Sequence, residues 1–95
     1  MKLEPQGDSC KLSGRLTQEE VTRLWKTRKT LLPADVRRLD LSELTYSDSA
    51  GMAFLMELVS LRKGELTLAS PSPQVRKLIA LYDLDAFFTK EGQTR

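Results

Sequence analysis

Two short segments of this chain alternate apolar and polar residues, and a helical stretch lies between them. Leu39 and Leu41 are interleaved with Arg38 and Asp40, and Leu66 and Leu68 with Glu65 and Thr67. A period of two is that of a strand with one dry face and one wet face. The spacing therefore predicts strands over 37–42 and 65–69. Between them, Ser49 to Lys63 carries apolar residues at helical spacing and is closed by Gly64, which predicts a helix. A strand, a helix and a strand in that order form a parallel pair joined by a crossover helix. Parallel strands covered on both faces would read as unbroken apolar runs. These do not, so the helices are expected mainly on one face of the sheet.

The flanking segments extend the pattern. Gln6-Gly7-Asp8 is a turn signal between Lys2–Pro5 and Ser9–Ser13, which predicts an N-terminal hairpin. Cys10 and Leu12 should face inward, and Lys11 and Ser13 outward. Thr17 to Leu32 reads as a first helix, opened by a Thr17/Glu20 capping box and ended by Pro33. Its stripe is Val21, Leu24, Trp25, Arg28, Leu31 and Leu32, so Trp25 is expected to pack inside. A third helix opens at Ser72-Pro73, with Val75, Leu78, Ile79 and Tyr82 on its inner face. Leu84, Phe87 and Phe88 are expected to add a last buried segment, and 90–95 a mobile tail. The apolar residues of the second helix sweep roughly 220°, wider than the stripe of about 100° that a surface helix needs. Either neighbouring helices flank it, or part of the excess is a partner surface.

The chain has 95 residues, which is one domain's length, so residues 1–95 are expected to form a single α/β domain with a mixed sheet. So small a domain leaves no room for a large active-site cleft, and a binding module is the default reading. Histidine is absent. That removes the commonest general base and metal ligand, and every Ser-His or Cys-His pair. A single cysteine forms no internal disulfide and no metal site. Asp40 and Asp48 do not make one either, since Asp40 alternates outward on its strand. No catalytic residue, metal or cofactor is expected. The net charge is +2 with the two signs interspersed, which offers no footprint for nucleic acid. The first residues lack a signal peptide's apolar core, and no apolar run approaches the ~18 residues of a membrane span. A soluble, cytoplasmic protein is expected.

Function should gather where the strand at 37–42 gives way to the second helix. In open α/β sheets, binding sites collect at the carboxyl ends of strands. Tyr46, Ser47, Asp48, Ser49, Ala50, Gly51 and Met52 lie there. A hydroxyl at a helix start sits among unpaired N–H groups and the positive end of the helix dipole. Ser49 or Asp48 could equally be the helix cap and nothing more. The small Ala50 and Gly51 would let another protein's backbone approach closely.

Asp40-Leu41-Ser42, then Leu44, then Asp48-Ser49-x-Gly51 resembles the signature of STAS domains, and Gly14-Arg15-Leu16 resembles the family's Gly-x-Leu after the second strand. The resemblance covers nearly the whole chain. Within the family the chain is most similar to MlaB-type subunits, through Leu24-Trp25, Leu81-Tyr82-Asp83-Leu84 and its compact length. It departs from them at the helix start, where Ser49-Ala50-Gly51 stands in place of Thr-Gly-Gly. The resemblance implies a non-enzymatic cytoplasmic subunit, peripheral to the inner membrane through its complex. Such a subunit binds and stabilises or regulates the ATPase subunit of a phospholipid-transporting ABC system that maintains outer-membrane lipid asymmetry. The partner-binding residues would be Tyr46 to Met52. Ser49 also resembles the phosphoacceptor of anti-sigma-factor antagonists. The alternative is therefore a switch in which a partner kinase, an anti-sigma factor, phosphorylates Ser49.

Overall fold

The computed structural model describes residues 1–63 and 65–84. Gly64, Phe87, Phe88 and the tail at 90–95 lie outside the described residues. Strands β1 (Lys2–Gln6) and β2 (Ser9–Leu16) form the expected antiparallel hairpin around Gly7-Asp8. Helix α1 (Gln18–Leu24) follows. Then come β3 (Arg38–Ser47), α2 (Ser49–Leu61), β4 (Thr67–Ala69) and α3 (Pro73–Tyr82). The sheet order is β1-β2-β3-β4, with β2, β3 and β4 parallel. This is the mixed α/β sheet that the alternation predicted.

Burial follows the alternation. Cys10, Leu12, Leu39, Leu41, Leu66 and Leu68 are buried, while Arg38 and Thr67 are exposed and Lys11 and Asp40 half-buried. The dry face joins Met52, Phe54, Leu55 and Leu58 of α2 and Val75 and Ile79 of α3 in one core. Burial drives this arrangement, at about 1.5–3 kcal/mol for each large apolar side chain taken from water. Among the described residues the sheet ends on one side at β1, which contains Pro5, and on the other at β4, only three residues long.

Strand β3 runs on to Ser47, five residues past the expected end. Its second half pairs with Ser13–Leu16 after two register shifts, on either side of Ser13-Gly14, each of which places one extra residue in β3. Gly14 has φ 94°, a conformation open to glycine and costly for other residues. The extra residues reset the alternation of β3, so that Leu41, Leu44 and Ser47 all face inward, while β2 keeps its period of two to the fully buried Leu16.

The first helix is shorter than expected. It stops at Leu24 and tightens into a 3-10 turn over Trp25–Thr27, where regular structure ceases until β3. Threonine hydroxyls turn back onto the backbone there, Thr27 to the Leu24 carbonyl at 3.2 Å and Thr30 to that of Thr27 at 3.4 Å. Such bonds compete with helix propagation. The tighter turn carries Trp25 off the apolar stripe, leaving it 41% exposed against Phe54 rather than packed inside. The capping box does not form either. Glu20 instead meets the amino group of Met1 at 3.3 Å and Arg23 at 2.6 Å, and Thr17 makes no side-chain cap. The connector after α1 is held by Arg62 at the end of α2, whose guanidinium donates to the carbonyls of Pro33, Ala34 and Val36.

Candidate functional site

Only Asp48 separates β3 from α2, so the expected loop is a strand running directly into a helix. Asp48 is the cap. Its Oδ1 accepts the Gly51 N–H at 2.8 Å. Its Oδ2 accepts the Gln18 N–H at 2.9 Å, the first amide of α1. One carboxylate thus serves the starts of two helices, and supplies α1 with the cap that Thr17 does not. Ser49 is thereby left unspent. It is exposed, and its hydroxyl has no partner among the described residues.

The residues around it divide into those that face out and those that support. Ser47 is fully buried. The side-chain amide of Gln74, in the first turn of α3, accepts from the Ser47 N–H at 2.8 Å and donates to its carbonyl at 2.9 Å. Ser72 caps α3 and also donates to the Leu44 carbonyl at 2.7 Å, so α3 is fastened to β3 just where the site begins. Gly51 is buried, and a Cβ there would collide with the Leu16 carbonyl and the Ser47 hydroxyl. Its smallness therefore serves the close approach of α2 to β2, rather than the approach of a partner. Met52 is buried too. Of the seven residues expected at a partner surface, Ser47, Gly51 and Met52 are thus buried supports. Tyr46 and Ala50 are half-buried, Asp48 is occupied with capping, and Ser49 stands clear. Arg15 lies 4.4 Å over the Tyr46 ring and fixes it.

Ser49 forms part of the rim of a hollow of about 260 Å³ lined by Met52, Ala53, Met56, Tyr82 and Leu84. Apart from the two hydroxyls its walls are apolar. Asp83 adopts a left-handed conformation (φ 57°) that turns the chain back, and the Leu84 N–H reaches the Ile79 carbonyl at 2.9 Å. That bend carries Leu84 to the hollow. Tyr82, expected on the inner face of α3, is 45% exposed, and Leu81 beside it 71%. Part of the wide apolar arc of α2 therefore meets this open hollow, and part meets the 3-10 turn after α1, where Phe54 lies against Trp25. The sequence held no local signal for Gln74 as a clamp or for Ala53 as a wall, whereas Met56 belongs to the wide apolar arc. Their roles follow from how α3 lies against β3 and α2.

No helix among the described residues is long and apolar enough to cross a membrane. A family model described as "Mlab, STAS domain" matches residues 2–90. The chain is similar to the intermembrane phospholipid transport system binding protein MlaB of Escherichia coli (strain K12), with 34% identity over 83 residues, 84% of each chain. It is similar to the protein of the same name from Shigella flexneri to the same extent, 34% over 83 residues.

Proposed function

The chain belongs to the MlaB-type STAS domain family, and we propose that it is a non-enzymatic subunit of a bacterial phospholipid-transporting ABC complex. It docks on the ATPase subunit and stabilises or regulates it. The observation that carries this reading is the unspent, exposed Ser49 hydroxyl at the rim of an apolar hollow. A partner that covers Ser49 and Ala50 and places an apolar side chain against Ala53, Met56 and Tyr82 buries surface that the free protein leaves wet. The hydroxyl then supplies direction, at a helix end whose dipole favours an acceptor group. Interfaces of this kind bury about 800 Å² on each partner, and binding adds to the native state's stability by mass action. The relatives' names, which describe a binding protein of a phospholipid transport system, support the choice of system.

The same free hydroxyl supports a second reading, in which a kinase partner phosphorylates Ser49. A phosphate adds about −1.5 to −2 charges beside Asp48 and would eject a closely fitted partner. One experiment separates the readings. The ATPase subunit is pulled down with wild type, Ser49→Ala and Ser49→Glu, and intact mass is measured on protein from native cells. For the transporter reading, Ser49→Glu abolishes capture with the fold retained. Ser49→Ala weakens it by about 0.5–1.5 kcal/mol, and no phosphate is found. Undiminished capture by Ser49→Glu refutes docking at this site. A phosphorylated mass in most molecules establishes the switch instead.

A further inference from the structure

The other end of α2 carries a second concave surface. Helix α2 runs from Ser49 to Leu61, so its ends lie about 18 Å apart. Where it ends, Leu32, Leu58 and Leu61 floor a cavity of about 190 Å³ walled by Arg28, Lys29 and Arg62. A wider hollow of about 580 Å³ shares Lys29, Leu32, Leu61 and Arg62 with it and adds Lys63 and Glu65.

The charges there do not cancel. Arg28 is matched by Glu57 at 3.0 Å, and Glu65 by Arg37 at 3.0 Å. Arg62 bonds to neutral carbonyls, which leave its charge uncompensated. Lys29 and Lys63 are exposed, and their ammonium groups have no partner among the described residues. The negative end of the α2 dipole accounts for cations at Arg62 and Lys63. It does not account for Lys29, which comes from the connector after α1, or for the half-buried Leu61 left between these cations. At the edge, the Arg28 guanidinium lies 4.0 Å over the ring of the exposed Trp25. Tryptophan and arginine are the residue types that most often anchor interfaces.

We propose that this surface docks an acidic peptide segment of a protein partner. Carboxylates of the segment pair with Lys29, Arg62 and Lys63, and an apolar side chain between them enters the hollow against Leu61, with the core residues Leu32 and Leu58 behind it. Shape decides against a lipid surface. A bilayer presents a broad anionic plane, whereas leucines at the floor of a hollow are reached by a single protruding side chain. Nucleic acid would use the cations and leave the apolar floor empty. This surface stands apart from Ser49, and the proposal does not rest on the docking reading there.

Trp25 is the chain's sole tryptophan and serves as the reporter. The probe is a short synthetic peptide in which leucine and phenylalanine alternate with glutamate and aspartate. Titrated into the whole protein, it shifts Trp25 emission to the blue and saturates, and salt at about 0.5 M weakens it several-fold. Lys29→Glu combined with Lys63→Glu keeps the cooperative fold, with a melting temperature lowered by only a few degrees as a cation leaves the end of α2, and lowers the affinity at least about tenfold, the expected loss of two charge pairs. Undiminished affinity in that variant overturns the proposal, as does equal binding of a peptide with serine in place of its acidic residues. Phosphatidylglycerol vesicles that shift the emission where the peptide does not would assign the surface to a membrane. No shift with millimolar peptide overturns the proposal outright. The ATPase subunit is absent from the titration, so failure here leaves the Ser49 reading standing.

Discussion

Replacing Asp48 tests whether one carboxylate holds the starts of two helices. Asp48→Ala removes the acceptor of the Gly51 N–H at 2.8 Å and of the Gln18 N–H at 2.9 Å. The first loss is that of an N-cap, about 1 kcal/mol and up to about 2. The second falls at an exposed amide that water can reach, so only about 0.5 kcal/mol of it survives. Loss of a negative charge at the α2 N-terminus adds about 0.3–1 kcal/mol. The total is about 2–3 kcal/mol. Asp48→Asn keeps one acceptor oxygen but turns an N–H donor toward the second amide, and should lose about half as much. Urea unfolding at constant m-value reads both. With m of ~1 kcal/mol/M, the midpoint for the alanine variant falls by about 2–3 M. Amide hydrogen exchange gives the residue-level check: Gln18 and Gly51 both lose protection in Asp48→Ala, and one of them in Asp48→Asn. An alanine variant within ~0.5 kcal/mol of the parent, or an asparagine variant equal to it, would refute the shared cap.

Gly51→Ala must push α2 away from Leu16 and Ser47. It should cost about 1–3 kcal/mol, and an unchanged melting temperature would contradict the close approach. Phe54→Ala, at a ring 1% exposed, should cost about 3–5 kcal/mol. Trp25→Ala should cost far less, and equal losses in thermal melts would place Trp25 in the core after all. In acid, Glu20 is held below its usual range, chiefly by its hydrogen bond from Arg23, with the Met1 amino group adding to it. Burial pushes Asp40 up, but hydrogen bonds from Ser42 and the nearby Lys11 and Arg38 outweigh it and leave the carboxyl lowered. The unfolded chain therefore takes up these protons first. Stability contributed by the two groups is complete above the unfolded carboxylate range, near 4.5 for Glu20, and is lost as pH falls through the lower folded values. Urea midpoints measured at falling pH should decline, and Glu20→Gln should flatten the slope; an unchanged slope contradicts the pairing.

The sheet was legible because its signal is local. Leu39-Asp40-Leu41 and Leu66-Thr67-Leu68 state which face is dry, and burial agrees residue by residue. The starts of α2 and α3 were legible for the same reason, since Asp48 and Ser72 cap within three residues of themselves. What could not be read was set by partners distant in sequence. Thr17 and Glu20 have the spacing of a capping box, but Glu20 is drawn to the amino terminus and Asp48 reaches across 30 residues to the Gln18 amide. Trp25 fits a helical stripe that the 3-10 turn abolishes. At the site, the sequence marked the segment 46–52 but not which of its side chains face out. That depends on Gln74 and Leu16, which no spacing rule connects to it.

Both borders of the sheet are poor templates for another strand. Pro5 removes one backbone donor from β1, and β4 offers a row only three residues long. Runs of unpaired N–H and C=O groups are where chains join into cross-strand aggregates, and a proline or a very short border strand interrupts such growth. A parallel sheet assembles slowly, because its partners are far apart along the chain. While it does so, blunt borders keep half-formed copies from stitching together. A Pro5→Val variant, free to complete the row along β1, is where precipitation during refolding should first appear.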